Sequence, residues 1–238
     1  MSNEIILLIS LLVIYIGVFI WFCLFGKEGL YCFTAIATIT ANIEVLILVR
    51  AYGMEQTLGN ILFGATFLIT DILSEIGSKK EAQKAVNIGI ATSVIFIIIS
   101  QSWFLYTPSE NDWAMPSIEA IFTNTPRLMI VSLLVYGIVQ SLDVWIYHKW
   151  WQFTEKKFGD KRRFLWLRNN GSTLISQLLN TVLFTLGAFF GMYTFSTLLS
   201  IILSTYIIYI VTSLFDTPII YMSRFVHEKF FEKSVDNS

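Results

Sequence analysis

Residues 5–25 run for 21 positions without a charged side chain. As a helix rising about 1.5 Å per residue, that stretch reaches across the ~30 Å hydrocarbon core of a bilayer. Six more apolar blocks follow, at residues 31–49, 57–76, 85–105, 128–147, 172–192 and 195–215. The chain is only 14% charged, about half of what a soluble domain uses to cover its surface. Lipid is therefore the solvent for most of it. The first block has neither a basic leader nor a small-x-small cleavage site, so it reads as a retained membrane helix.

The expected fold is all-α: a polytopic membrane protein of about seven transmembrane helices. Residues 1–25 form an additional N-terminal helix, residues 26–227 a six-helix membrane core, and residues 228–238 a polar tail. Six spans, with two blocks folded as half-helices, is the alternative. An outside N-terminus puts 14 of the 16 lysines and arginines in cytosolic segments, leaving Arg50 and Arg127 outside. That is the charge bias that orients membrane helices, and it predicts N-out, C-in. Trp103, Trp145, Trp150, Trp151 and Trp166 fall near span ends, where interfacial tryptophans anchor.

Signatures of soluble enzymes are missing: the sequence has no HExxH, GxSxG, P-loop or GxGxxG. Cys23 and Cys32 have no zinc or haem spacing, and no metal, cofactor or nucleic acid is expected.

The informative residues are the polar ones inside the spans. Asp71 and Glu75 sit in "NILFGATFLITDILSEIGSKKEA" with no base before Lys79. A charge at the bilayer centre costs about 2.5–3.5 kcal/mol on insertion scales, so it should face a cavity or a partner. At 100° per residue, Asn60, Gly64, Asp71 and Glu75 fall within roughly 60° of one another. Tyr136, Gln140, Asp143 and Tyr147 share a face of the fifth block; Asn170, Thr173, Gln177 and Thr181 share one of the sixth, with Asn180 at its edge. Helix rise places Asp71, Asp143 and Gln177 about 6–8 Å from the cytosolic end, with Tyr209 at a similar level. Such a layer is either hydrogen-bonded glue between helices or a cavity for a small polar solute. Carboxylates and carboxamides with nearby aromatics, Phe67 and Phe184 among them, suit a planar heterocycle with adjacent N–H donors; a monovalent cation would also satisfy the carboxylates.

The stretches "FGKEGLY", "ANIEVL", "LGNILFGATFLITDILSE", "VQSLDVWIYH", "WLRNNGSTLISQLLNT" and "DTPIIY" resemble the bacterial queuosine precursor transporter family, also called the vitamin uptake transporter family. The likeness runs over about residues 25–221, with its motifs in order. It implies a multi-pass inner-membrane importer of 7-deazaguanine bases for salvage into tRNA modification, not an enzyme. Carried over residue by residue, it points to Asn42, Asn60, Asp71, Glu75, Gln140, Asp143, Arg168, Asn169, Asn170 and Gln177. Asp71 is the candidate for the base's N–H edge, Asn170 and Gln177 for its carbonyl and ring nitrogens, and Asp143 for a second ligand or a proton carrier. Glu75 would line the cytosolic mouth, and Arg168 is equally readable as a topology anchor. Two departures stand out. Asn180 occupies the place of an expected aspartate and Tyr209 that of an expected lysine, so both ends of an ion pair would have been replaced together.

Small residues at i and i+4, Ala37 with Ala41 and Gly187 with Gly191, leave open either self-association or docking to an energy-coupling partner. Import of another vitamin or nucleobase is the alternative within the class. A membrane scaffold whose polar faces only join helices is the alternative outside it.

Overall fold

A computed structural model of the protein describes residues 2–122, 126–159 and 164–231. Lys161, Arg162, Arg163, Lys233 and the polar tail after Phe231 lie outside the described residues.

The architecture is helical, as the apolar blocks require. In order come α1 (Asn3–Glu44), a β-hairpin of β1 (Leu48–Ala51) and β2 (Met54–Thr57), α2 (Gly59–Ile76) and α3 (Lys79–Ser102). A 3₁₀ turn, Trp103–Leu105, then leads to the short α4 (Met115–Phe122), α5 (Pro126–Phe158), α6 (Leu165–Phe189) and α7 (Phe195–Val226). All but α4 are long and apolar enough to cross a membrane. Val13, Leu24, Ile98, Leu134 and Leu203 are exposed on their outer faces, as lipid-facing side chains are.

The 42 residues of α1 would span about 63 Å as a straight helix, twice a bilayer core. It is not straight. Gly26 has φ 59° and ψ −143°, a backbone conformation that only glycine adopts freely, and the helix folds back there. The arms, residues 3–25 and 27–44, pack antiparallel. Trp21 and Phe33 meet ring to ring at 6.2 Å, and the Asn3 amide donates to the Arg50 carbonyl at 2.9 Å. Leu11, Tyr15, Val18 and Phe22 are buried, so the first arm belongs to the core packing.

Block 31–49 was expected to continue as helix to Val49. Instead the helix ends at Glu44, and Leu48–Ala51 pairs antiparallel with Met54–Thr57. Tyr52 (φ 52°) and Gly53 (φ 74°) form the two-residue turn with positive φ that tight hairpins use. Hydropathy marks an apolar run without distinguishing helix from strand. The other ends also move. Block 172–192 is helical from Leu165 to Phe189, block 128–147 continues to Phe158, and block 195–215 continues to Val226.

Helix α2 is the hub. Sixteen of its 18 residues are buried, and it packs against α1, α3, α5 and α7. Its start lies so close to the second arm of α1 that a Cβ on Gly59 would meet the Ala41 carbonyl at 2.8 Å and the Val45 amide at 3.0 Å. Both obstacles are backbone and cannot rotate away. Gly59→Ala is therefore expected to destabilise the protein by about 1–3 kcal/mol, the usual cost of overpacking. A denaturation midpoint in mixed micelles unchanged from wild type would contradict this contact.

One end of the bundle holds the Gly26 turn, with Lys27 Nζ beside Gly77, and the lysines that start α3. The opposite end holds the hairpin, α4 and Arg127. The Arg127 guanidinium donates to the Gly187 and Phe190 carbonyls, each at 2.9 Å, closing the C-terminus of α6. Basic residues thus cluster at one end, as the charge pattern requires.

Candidate functional site

Parallel α2, α5 and α7, with α6 antiparallel to them, bring their polar faces to a common axis. Contacts along α2 order that axis into levels. Near its start, Tyr209 donates to Asn60 Oδ1 at 3.3 Å and accepts from the Asn180 amide at 3.5 Å. These three residues, with Phe63, Phe184 and Ser132, line a cavity of about 40 Å³. An adjoining cavity of about 10 Å³ is lined by Asn42, Thr66 and Tyr136 among others. Above both, toward the hairpin, opens a vestibule of about 370 Å³ lined in part by Thr57, Thr197, Ser200, Ser204 and Thr205.

The next level is carboxamide to hydroxyl. Gln140 donates to Thr66 at 2.6 Å and accepts from Thr70 at 3.3 Å, locking α5 to α2. Below it lie the carboxylates. Asp71 is 1% exposed; Thr173 donates to its Oδ2 at 3.2 Å, and its Oδ1 has no hydrogen-bond partner. Asp143 is fully buried. Ser172 and Ser176 lie beside it, yet both of its oxygens lack a hydrogen bond of ordinary geometry. Gln177 Oε1, one helical turn from Thr173, is likewise unpartnered. These buried oxygens are all acceptors. Burying them without donors costs free energy, and the layer has unused capacity to accept N–H or O–H groups. Among the described residues, no three His, Cys, Asp or Glu side chains come together as a metal site.

The last level closes the basic end. Glu75 accepts from Arg168 Nη2 at 2.6 and 2.7 Å, from Arg224 Nη1 at 2.7 Å and from the Tyr147 hydroxyl at 2.8 Å. The Arg168 side chain is 0% exposed, and its guanidinium lies 4.3 Å over the Trp151 ring. Glu75, expected to line an open mouth, is thus the centre of a compensated ion cluster. Arg168 is a buried partner of that cluster rather than a surface anchor. Trp151, expected at the interface, packs on the arginine.

The remaining candidates divide by their contacts. Asn170 donates to Thr217 and to the Trp166 carbonyl and accepts from Ser213, so its amide joins α6 to α7. Its neighbour Asn169 is fully buried; its amide also donates to Thr217, at 3.2 Å, and its Oδ1 is unpartnered. Asn42 donates to the Thr38 carbonyl in its own helix and edges the smaller cavity. Tyr209 does not share the Asp71 level. It stands with Asn60, 11 residues or about 16 Å earlier along α2. The cause is the length of α7: ending the block at residue 215 shifted its contents by about three turns. Asn180 and Tyr209 do meet, as two residues replacing an ion pair would have to. Ala37 and Ala41 are buried against Leu62, while Gly187 packs on Val131 and Gly191 lies beyond the end of α6 in an exposed turn, so the two glycines share no helix face.

Three participants escaped sequence reasoning. Arg224 completes the ion cluster. Asp216, 1% exposed on α7, is a third buried acid close to Asp71, and Tyr15 faces it from the first arm of α1. The rule that singled out Asp71, an acid in an apolar helix with no nearby base, would have found Asp216 had the block been drawn one residue longer.

Comparison with known proteins places this geometry. Residues 57–223 match the family model described as "Putative vitamin uptake transporter". A relative from Bacillus subtilis (strain 168), described as "Probable queuosine precursor transporter", is 38% identical over 200 residues, covering 84% of this chain and 85% of its own. No solved structure matches the chain. With its polar axis inside a multi-pass helical bundle, the chain belongs to the vitamin uptake transporter family.

Proposed function

We propose that the protein imports 7-deazaguanine bases, the precursors of queuosine, across a bacterial inner membrane. Seven crossings, with the N-terminus outside and the basic end in the cytosol, frame this reading; the two arms of α1 count as two of the crossings. The observation that carries it is the layer of unpartnered acceptors on Asp71, Asp143 and Gln177. A 7-deazaguanine offers a complementary edge: N1–H and the exocyclic amine point the same way, toward a carboxylate. Its ring carries a substituted carbon where guanine has the N7 acceptor. Its carbonyl would take the Asn169 or Gln177 amide. The relative's description supports the same class of solute.

Entry would run from the hydroxyl-lined vestibule past Asn60, Asn180 and Tyr209. The cavity there, about 40 Å³, holds water but not a bicyclic base, so the helices must part for passage. The ion cluster of Glu75 with Arg168 and Arg224 seals the cytosolic end meanwhile. Opening one end while the other is closed is the requirement of any carrier.

The test uses bacteria unable to make the base and lacking their own carrier. Expression of this chain is expected to restore queuosine in tRNA when a nanomolar-scale supply of 7-cyano-7-deazaguanine is given, read as retarded migration on boronate gels. Absence of queuosine despite protein in the membrane would point to a different vitamin or base as the cargo.

A further inference from the structure

Asp216 stands apart from the base-facing layer. It lies one turn beyond Thr212 on α7, on the side covered by the first arm of α1. Its Oδ1 has no hydrogen bond of ordinary geometry, and the buried Tyr15 hydroxyl faces it. No described Lys, Arg or His forms an ion pair with it; the cations of α7 and α6 at this end are committed to Glu75 and Glu228. The titratable groups acting on it are Tyr15 from α1, Asp71 from α2 and Asp143 from α5, none of them cationic. A carboxyl group in this setting has no cation to pair with, and a proton is the partner it can take.

Between the first arm and α7 lies a cavity of about 310 Å³ with a mostly apolar lining, Leu8, Leu11, Ile207 and Val211 among it, and Thr212 among its few polar residues. Thr212 is also close to Tyr15: a Cβ on Gly64 would touch both hydroxyls, at 3.3 and 3.5 Å. Thr212 and Tyr15 thus lie between this cavity and Asp216; the cavity shares Met54, Gln56 and Thr57 with the vestibule and Asn60 with the smaller cavity beneath it.

We infer that Asp216, gated by Tyr15, is a proton-binding site that couples entry of one proton to import of one base. The inference rests on reading the chain as an importer. The external proton adds to the carboxylate to give the acid, which crosses neutral with the base bound. When the cytosolic end opens, water reaches the acid and the proton leaves inward. One neutral base and one positive charge move in, and no bond in the base changes.

Purified protein in proteoliposomes, with labelled 7-cyano-7-deazaguanine, tests this. With the membrane potential clamped at zero and an outside-acid gradient of one pH unit, wild type is expected to accumulate label about tenfold above equilibrium, the limit for one proton per base. Asp216→Asn is expected to equilibrate the label without accumulating it, while Asp216→Glu retains accumulation. Gradient-independent import by wild type, or full accumulation by Asp216→Asn, overturns the coupling. Infrared difference spectra decide the site without any base. Wild type should show a carboxylic-acid C=O stretch that shifts in D₂O and is diminished in Asp216→Asn; an unchanged band overturns the assignment. If no variant moves the base yet the band behaves as expected, the fault lies with the cargo and not with the proton site.

Discussion

Glu75→Gln is expected to destabilise the protein by about 3–5 kcal/mol, the cost of removing one partner from a buried ion pair. The size follows from what the substitution strands. Arg168 has a side chain 0% exposed, and its charge is met by the Glu75 carboxylate at 2.6 Å, with Trp151 behind it. A glutamine keeps the shape and one acceptor but removes the counter-charge. Arg224, 16% exposed, still has Glu228 at 3.0 Å and loses less. Adding Arg168→Met should recover part of the loss, because an apolar residue of similar volume leaves no unpaired charge. Unfolding titrations in mixed micelles, followed by circular dichroism, would measure the cycle. A loss below about 1 kcal/mol, typical of a solvated pair, would mean that water reaches the cluster and that it does not seal the cytosolic end.

That cluster also marks where sequence reasoning runs out. The face of α2 was legible, since Asn60, Asp71 and Glu75 recur at helical spacing and all three point to the polar axis. The partners were not. Arg168 and Arg224 lie 93 and 149 residues from Glu75, and no local pattern connects positions that far apart. Hydropathy located every long helix but blurred its ends. The error was harmless for α2 and misleading for α7, where it lifted Tyr209 out of the Asp71 layer and left Asp216 outside the block. Asn169 and Asn170 show a further limit. They are adjacent, about 100° apart, and a helical wheel cannot choose which of two flanking amides turns inward when both borders are polar. The Ala37–Ala41 pair shows the same for packing: small residues announce a close approach, but only the fold reveals that the approaching group is Gly59 and α2 of the same chain.

Asp71→Asn separates the two meanings of the polar layer, because it should move stability and affinity in opposite directions. The carboxylate has one donor, Thr173, and no cation; Asp143 adds like charge nearby. An asparagine in its place still accepts from Thr173 and relieves that repulsion, so the ligand-free melting temperature is expected to hold or rise. Base affinity is expected to fall by about 2–4 kcal/mol, roughly 30- to 1,000-fold in Kd, since the amide N–H₂ would confront the donor edge that the carboxylate is built to accept. Thermal-shift titrations with 7-cyano-7-deazaguanine and guanine, on wild type and variant, read both quantities at once, because the shift grows with ligand excess over Kd. A scaffold whose polar groups merely join helices makes the contrary forecast: removing the Asp71 charge would lower the melting temperature, and no ligand would shift it in either protein. The unpartnered oxygen favours the first outcome, since a side chain present as glue would have its acceptors spent, as those of Asn170 and Gln140 are.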